Sequence, residues 1–141
     1  MMLSICSLPV RLSSSAVAAA GGGVAMKYLC QVWFEGAKLE AMSKEEKEKL
    51  DRDSFAYDEQ LVESGHMIVA EALQSPRSAV TVRMRDGEIS TTDGPYAETK
   101  EQLGGFILIN AKDLNEAIRI AGGIPLAKMG SIEVRPIHTF R

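Results

Sequence analysis

A strand, a capped helix, a glycine stop and a second strand follow one another twice in this 141-residue chain, and that rhythm constrains its fold more than any other feature. Residues 27–34 read as a strand with Tyr28, Cys30, Val32 and Phe34 on one face and Leu29, Gln31 and Trp33 on the other, so both faces are substantially apolar. Ser43 and Glu46 have the spacing of a capping box, in which each side chain satisfies the other residue's backbone N–H. A charged helix is predicted from there to Ser64, with Leu50, Ser54, Tyr57 and Leu61 at helical spacing, Phe55 and Val62 widening the stripe, and Gly65 as its stop. Residues 66–73 form the next strand, ended by Ser75-Pro76. The second round opens on a strand at residues 106–109 after Gly104-Gly105. Asp113 and Glu116 repeat the capping spacing, and the helix they start turns Leu114, Ala117, Ile118 and Ala121 inward. Gly122-Gly123 and Pro125 stop it, and residues 131–137 make the last strand.

Between the rounds, Asp86-Gly87 is flanked by residues 79–85 and 88–92, the strongest hairpin signal in the chain. Asp93-Gly94-Pro95 then breaks the run, and residues 96–102 are predicted to form one helical turn. The expected fold is α+β: a ferredoxin-like βαββαβ arrangement with an inserted β-hairpin, an antiparallel sheet with both helices on one face. Two helices cover only one sheet face. Leu29, Trp33 and one side of residues 106–109 leave apolar groups on the other, which predicts a homodimer packed sheet on sheet.

Composition narrows the function classes. A net charge of −3 without a Lys/Arg block lacks the footprint of a nucleic-acid binder, and no apolar run is long enough to span a bilayer. Residues 1–25 are foreign to the rest, with Arg11 as their single charge. Three readings compete for them: an upstream start with Met26 as the natural initiator, which is favoured, a disordered extension, and a weak export signal. The domain is therefore expected to occupy residues 26–141. Cys6 and Cys30 form no disulfide framework, which fits a cytoplasmic site, and Cys30 reads as a small core residue.

The densest group of chemically useful residues is the segment 93–105, with Asp93, Glu98, Glu101 and Lys100 among glycines, although turn chemistry alone accounts for Asp, Gly and Pro there. His66 is the candidate proton carrier, because an imidazole moves protons near neutral pH and a carboxylate partner orients it. The competing role is a cation complementing a helix C-terminus. His138, near the chain end, reads as incidental. Glu71 interrupts an apolar strand, on a face read as shared with Met67, Val69 and Leu73, and so needs a partner or a wet cleft; Arg135 is the candidate partner, with Glu133 beside it. Phosphate-loop, dinucleotide, HExxH, GxSxG and EF-hand motifs are absent from the sequence, so neither a cofactor nor a metal is expected.

Residues 93–106, Asp-Gly-Pro-Tyr-Ala-Glu-Thr-Lys-Glu-Gln-Leu-Gly-Gly-Phe, resemble the signature of the DGPF branch of the YCII-related proteins, with Tyr96 where that branch usually has Phe. Similarity at residues 26–29, at Gly65-His66 with residues 71–73, and at residues 132–136 extends the resemblance over about 26–138. The resemblance implies a dimeric α/β barrel and a bacterial protein often encoded beside extracytoplasmic-function sigma factors. In the wider family a His and an Asp are proposed as an acid–base pair, and one relative is a dehydrochlorinase of a chlorinated hydroxyhydroquinone. Here Ser54 stands where that histidine falls, so His66 and Asp93 take its place only if the fold brings them together.

Two functions follow as expectations. In one, a cytoplasmic homodimer performs proton-transfer or elimination chemistry on a small polar molecule, with His66 as base, Asp93 orienting it, and Glu71, Glu98, Lys100 and Arg135 contacting substrate. In the other, a non-catalytic ligand-binding or interaction module serves a sigma-factor system. A vicinal-oxygen-chelate fold is a third architecture and would require a metal triad.

Overall fold

The computed structural model describes residues 25–140, so the reading of the leader lies outside the described residues. Along the chain the elements are β1 (Met26–Phe34), α1 (Gly36–Glu40), α2 (Lys44–Glu63), β2 (Met67–Ala72), β3 (Val80–Arg85), β4 (Glu88–Asp93), β5 (Gln102–Ala111), α3 (Leu114–Gly123) and β6 (Ser131–Pro136). Four strands form one sheet in the order β2-β5-β1-β6, every neighbour antiparallel, and β3 and β4 pair separately as a hairpin. In each round the helix carries the chain over a strand that belongs to the other round. That is the split βαβ of the ferredoxin-like fold, with the hairpin inserted where the sequence places it.

Local chemistry sets the element ends. Ser43 N donates to Glu46 Oε2 at 2.8 Å and Glu46 N to Ser43 Oγ at 3.1 Å, so α2 opens on a complete capping box. The hairpin turns at Asp86 (φ 52°) and Gly87 (φ 79°), the paired positive angles of a type I′ turn. On the covered sheet face, the cross-strand row Ala70–Ile107–Cys30–Val134 is apolar throughout. Tyr28, Val32, Met67 and Ile109 extend that layer. Leu39 of α1, Leu61 of α2 and Ala117, Ile120 and Ala121 of α3 are buried in the same core. Burial of each large aliphatic side chain contributes about 1.5–3 kcal/mol. The Tyr57 hydroxyl donates to Ile120 O at 2.6 Å, tying α2 to α3.

Four local expectations need correction. Leu114 and Ile118 of α3 are exposed, and the helix buries Ala117, Ile120 and Ala121 instead. Residues 96–102 form no helical turn. Instead β5 begins at Gln102, because Phe34↔Gln102 and Trp33↔Leu103 prolong its ladder with β1, and ladder pairing outweighs weak local helix preference. A bulge leaves Gly104 as the extra residue there, where a Cβ would stand 2.1 Å from the Phe34 ring. A second bulge, at Ile68, changes the parity of β2. Met67 is paired with Ile109 on the helix-covered face, while Val69 and Glu71 pair with Leu108 and Phe106 on the opposite one, so Met67 does not share the face of Glu71. The short helix α1, which buries Leu39, was not anticipated.

Candidate functional site

A connected polar array lies where α2 ends and α3 begins. Ser64 is the C-cap of α2, Gly65 follows at φ 80°, Gly65 N donates to Val62 O at 3.1 Å and His66 N to Leu61 O at 2.9 Å. These two bonds make a Schellman motif, whose left-handed residue glycine occupies without strain. The motif delivers His66 to the head of β2, and Asn110 N donates to His66 O at 2.8 Å to fix its backbone against β5. Both ring nitrogens are engaged: Nδ1 lies 2.7 Å from Ser64 Oγ and Nε2 lies 3.1 Å from Glu116 Oε1.

Glu116 comes from the first turn of α3. Its N–H donates to Asp113 Oδ1 at 2.8 Å, but its carboxylate does not complete a capping box. Oε1 accepts instead from Lys112 N at 3.2 Å and from the His66 ring. Partial burial pushes this carboxyl upward. The Lys112 N–H, the His66 hydrogen bond and the positive charges of His66 and Lys112 outweigh that effect and hold it below its usual range.

An ionised Glu116 offers no proton, so Nε2 carries one. In the neutral ring Nδ1 then accepts from the Ser64 hydroxyl. In the imidazolium Nδ1 donates to Ser64 Oγ, and the hydroxyl turns to Leu61 O, which lies 3.2 Å away. Both ring nitrogens of His66 and the Ser64 hydroxyl keep a partner in both states. With side chains 27% and 22% exposed, His66 and Glu116 remain within reach of a solute, so the array can hold or release a proton at Nδ1 without rearranging the backbone.

The other residues singled out lie elsewhere. Asp93 ends β4 opposite Val80. Beside it Gly94 N donates to Ala79 O at 2.7 Å and Thr81 Oγ1 to Gly94 O at 3.0 Å. Asp93 is not a bonded partner of His66, and the whole of β2 intervenes between His66 and the start of the hairpin. Lys100 pairs with Glu35 at 3.6 Å, at the end of β1 where Phe34 faces Gln102; Lys38 meets the same Glu35 oxygen at 3.7 Å. Asn110, which holds His66, faces Lys27 at the other end of β1, roughly 25 Å away at about 3.3 Å per residue. Glu98 is exposed, and Ser131 Oγ donates to Glu101 Oε2 at 2.8 Å, so the loop is fastened to the start of β6. Thr99 Oγ1 donates to Glu101 O within its bend.

Glu71 and Arg135 do not pair within the chain. Their strands are the two edges of the sheet, about 14 Å apart across three strand spacings, and Arg135 Nη2 instead donates to Glu133 Oε2 at 2.8 Å. Burial pushes the Cys30 thiol up to about 11, which leaves it an unreactive core group. Among the described residues no helix is long and apolar enough to cross a membrane.

Ser64 and Glu116 are the members of the array that were not singled out as site residues. Serine two positions before the histidine was a usable signal for the first. The spacing of Glu116 with Asp113 signals a cap, and that local duty conceals its long-range contact with His66. Comparison with known proteins adds an identity to this geometry. The YCII-related domain matches residues 26–141. An uncharacterized protein of Rhizobium meliloti (strain 1021) is 38% identical over 118 residues, 82% of this chain and 95% of that protein. The chain belongs to the YCII-related family.

Proposed function

We propose that this protein carries out acid–base chemistry, of the elimination type, on a small polar molecule, with His66 as the proton-accepting group and Glu116 as the carboxylate that orients it. The observation that carries this reading is the imidazole held at 2.7 Å by Ser64 and 3.1 Å by Glu116 while still open to solvent. Asp93, the partner expected from the sequence, gives way to Glu116 because the latter is within hydrogen-bond reach. The loop bearing Asp93, Glu98 and Lys100 then serves as a separate element placed over the other end of the sheet, and Glu71 and Arg135 serve the uncovered face.

The segment 93–106 supports placement in the DGPF branch, and with it a bacterial protein acting in the cytoplasm. The second sheet face, with Leu29, Phe106 and Leu108 only half-buried, supports a homodimer packed through that face. The test is chloride release from a chlorinated hydroxyhydroquinone, the substrate class the family resemblance implies. Release by the wild type that falls by about 10²–10⁴ in His66→Gln upholds the reading. Absence of release, or release indifferent to His66→Gln, overturns it.

A second reading is favoured by one specific observation. Val80, Val82, Met84 and Ile89 share one face of the hairpin, and each is more than half exposed. Such a stripe suits an interaction module, in the sigma-factor setting the resemblance implies. In that case Val82→Asp abolishes partner capture and His66→Gln does not.

A further inference from the structure

Ser64, His66 and Glu116 make an unbroken chain of hydroxyl, imidazole and carboxylate, with Ser64 Oγ 2.7 Å from Nδ1 and Glu116 Oε1 3.1 Å from Nε2. Elimination chemistry uses only the last two members. Two acceptors compete for the hydroxyl proton, Leu61 O at 3.2 Å and Nδ1 at 2.7 Å. The ionised Glu116 keeps the ring's own proton on Nε2, so the neutral ring presents a lone pair at Nδ1 and the shorter contact takes the hydroxyl proton. A serine whose proton points at an imidazole that a third group orients is an activated nucleophile. The commoner form of this constellation sets serine on Nε2 and the acid on Nδ1. Here a separation of two residues sets the hydroxyl on the nearer nitrogen, and either ring nitrogen can act as the base.

The backbone holds the pair in place. Ser64 N donates to Gln60 O at 3.0 Å, His66 N to Leu61 O at 2.9 Å and Asn110 N to His66 O at 2.8 Å, so the proton can leave Oγ without movement of either residue. Ser64 is exposed, which leaves its oxygen open to a solute.

We infer that Ser64 is a nucleophile that takes acyl groups from activated esters, with His66 as its base and Glu116 positioning the ring. Ser64 Oγ bonds to the ester carbonyl carbon as its proton passes to Nδ1. The bond from that carbon to the leaving oxygen breaks, and the leaving oxygen takes the proton from Nδ1. Water then attacks the acyl-serine, its proton passes through Nδ1 to Oγ, and a carboxylic acid departs.

The end of α2 restricts the substrate class. The N–H groups of Ser64, Gly65 and His66 are all engaged with carbonyls of α2, and the last turn of a helix is the negative end of its dipole. None of these N–H groups is free to meet a developing oxyanion, and loss of one such donor costs about 10²–10³ in rate. The acyl donor must therefore carry a group that leaves easily. Esters of acidic phenols meet that requirement, and amides do not.

The experiment exposes the full chain to an alkyl fluorophosphonate, on which a serine Oγ–P bond forms, the P–F bond breaks and fluoride leaves. Peptide mass mapping locates the label, and circular dichroism verifies folding. The wild type is expected to be labelled at Ser64, at a rate that falls by about 10² or more in His66→Gln. Glu116→Gln, which lets the ring proton settle on Nδ1, is expected to lower the maximal rate by about 10-fold or more and leave the half-saturating probe concentration unchanged. With 4-nitrophenyl acetate the wild type should release nitrophenolate with acetyl on Ser64, and 4-nitroacetanilide should stay intact. A folded wild type without label at Ser64, or label there that ignores His66→Gln, overturns the nucleophile; cleavage of the anilide overturns the substrate class. Should His66→Gln not fold, Glu116→Gln decides, and an unchanged maximal rate overturns the triad. Elimination at carbon forms no bond to Ser64, so chloride release without label at Ser64 refutes the nucleophile alone, and label without chloride release refutes elimination alone.

Discussion

Replacing Glu116 by Gln keeps the shape of the side chain and removes its charge, which isolates what the carboxylate does at the junction of α2 and α3. At neutral pH the native carboxylate accepts from Lys112 N at 3.2 Å and from the His66 ring at 3.1 Å. Hydrogen bonds to a charged group contribute about 1.5–3 kcal/mol, and partial solvent contact at a side chain 22% exposed places this one near the lower end, about 1.5 kcal/mol. The group's folded value lies below its usual 4.5, so its contribution is fully present above that usual value and is lost as pH falls through the lower folded one. Urea denaturation measures this directly. At pH 7 the variant is expected to melt roughly 1 M earlier, for a slope of about 1.5 kcal/mol per molar urea, and the two curves should converge as the solution becomes strongly acidic. A Gln variant as stable as the wild type at pH 7, or a deficit that persists unchanged into strong acid, refutes the reasoning.

Two further outcomes follow from the fold. Gly104→Ala places a methyl 2.1 Å from the Phe34 ring at the β1–β5 bulge, so thermal melts should show a loss of about 1–3 kcal/mol, and Phe34→Leu in the same chain should recover part of it by making room. Tyr57→Phe deletes the bond to Ile120 O at 2.6 Å and strands a partly buried carbonyl of α3. A cost of about 1–3 kcal/mol is expected in chemical denaturation, without change in the secondary-structure spectrum.

Those parts of the fold governed by neighbours in sequence are legible in the sequence itself. Ser43 with Glu46, Gly65, and Asp86-Gly87 each act within a few residues, and each does in the structure what its local chemistry requires. The failures come from long-range pairing. Residues 102–105 are strand because β1 lies beside them, and the parity of β2 depends on one bulged residue, Ile68, that no alternation of side chains reveals. The candidate site divides in the same way. His66 was visible as a histidine at a helix end, but Glu116 lies 50 residues further along, and the capping role suggested by its spacing with Asp113 hid its turn toward Lys112 and the imidazole.

The central claim is that Glu116 holds the His66 ring with its proton on Nε2, so that Nδ1 is the basic nitrogen and accepts from the Ser64 hydroxyl. Nitrogen-15 NMR of the histidine-labelled protein, above the pH at which the ring becomes neutral, tests it most directly. The account predicts a His66 ring protonated at Nε2, with Nδ1 showing the shift of a hydrogen-bond acceptor, and a loss of that single tautomer in Glu116→Gln. A ring protonated at Nδ1, or a rapid mixture of tautomers unaffected by the substitution, contradicts it.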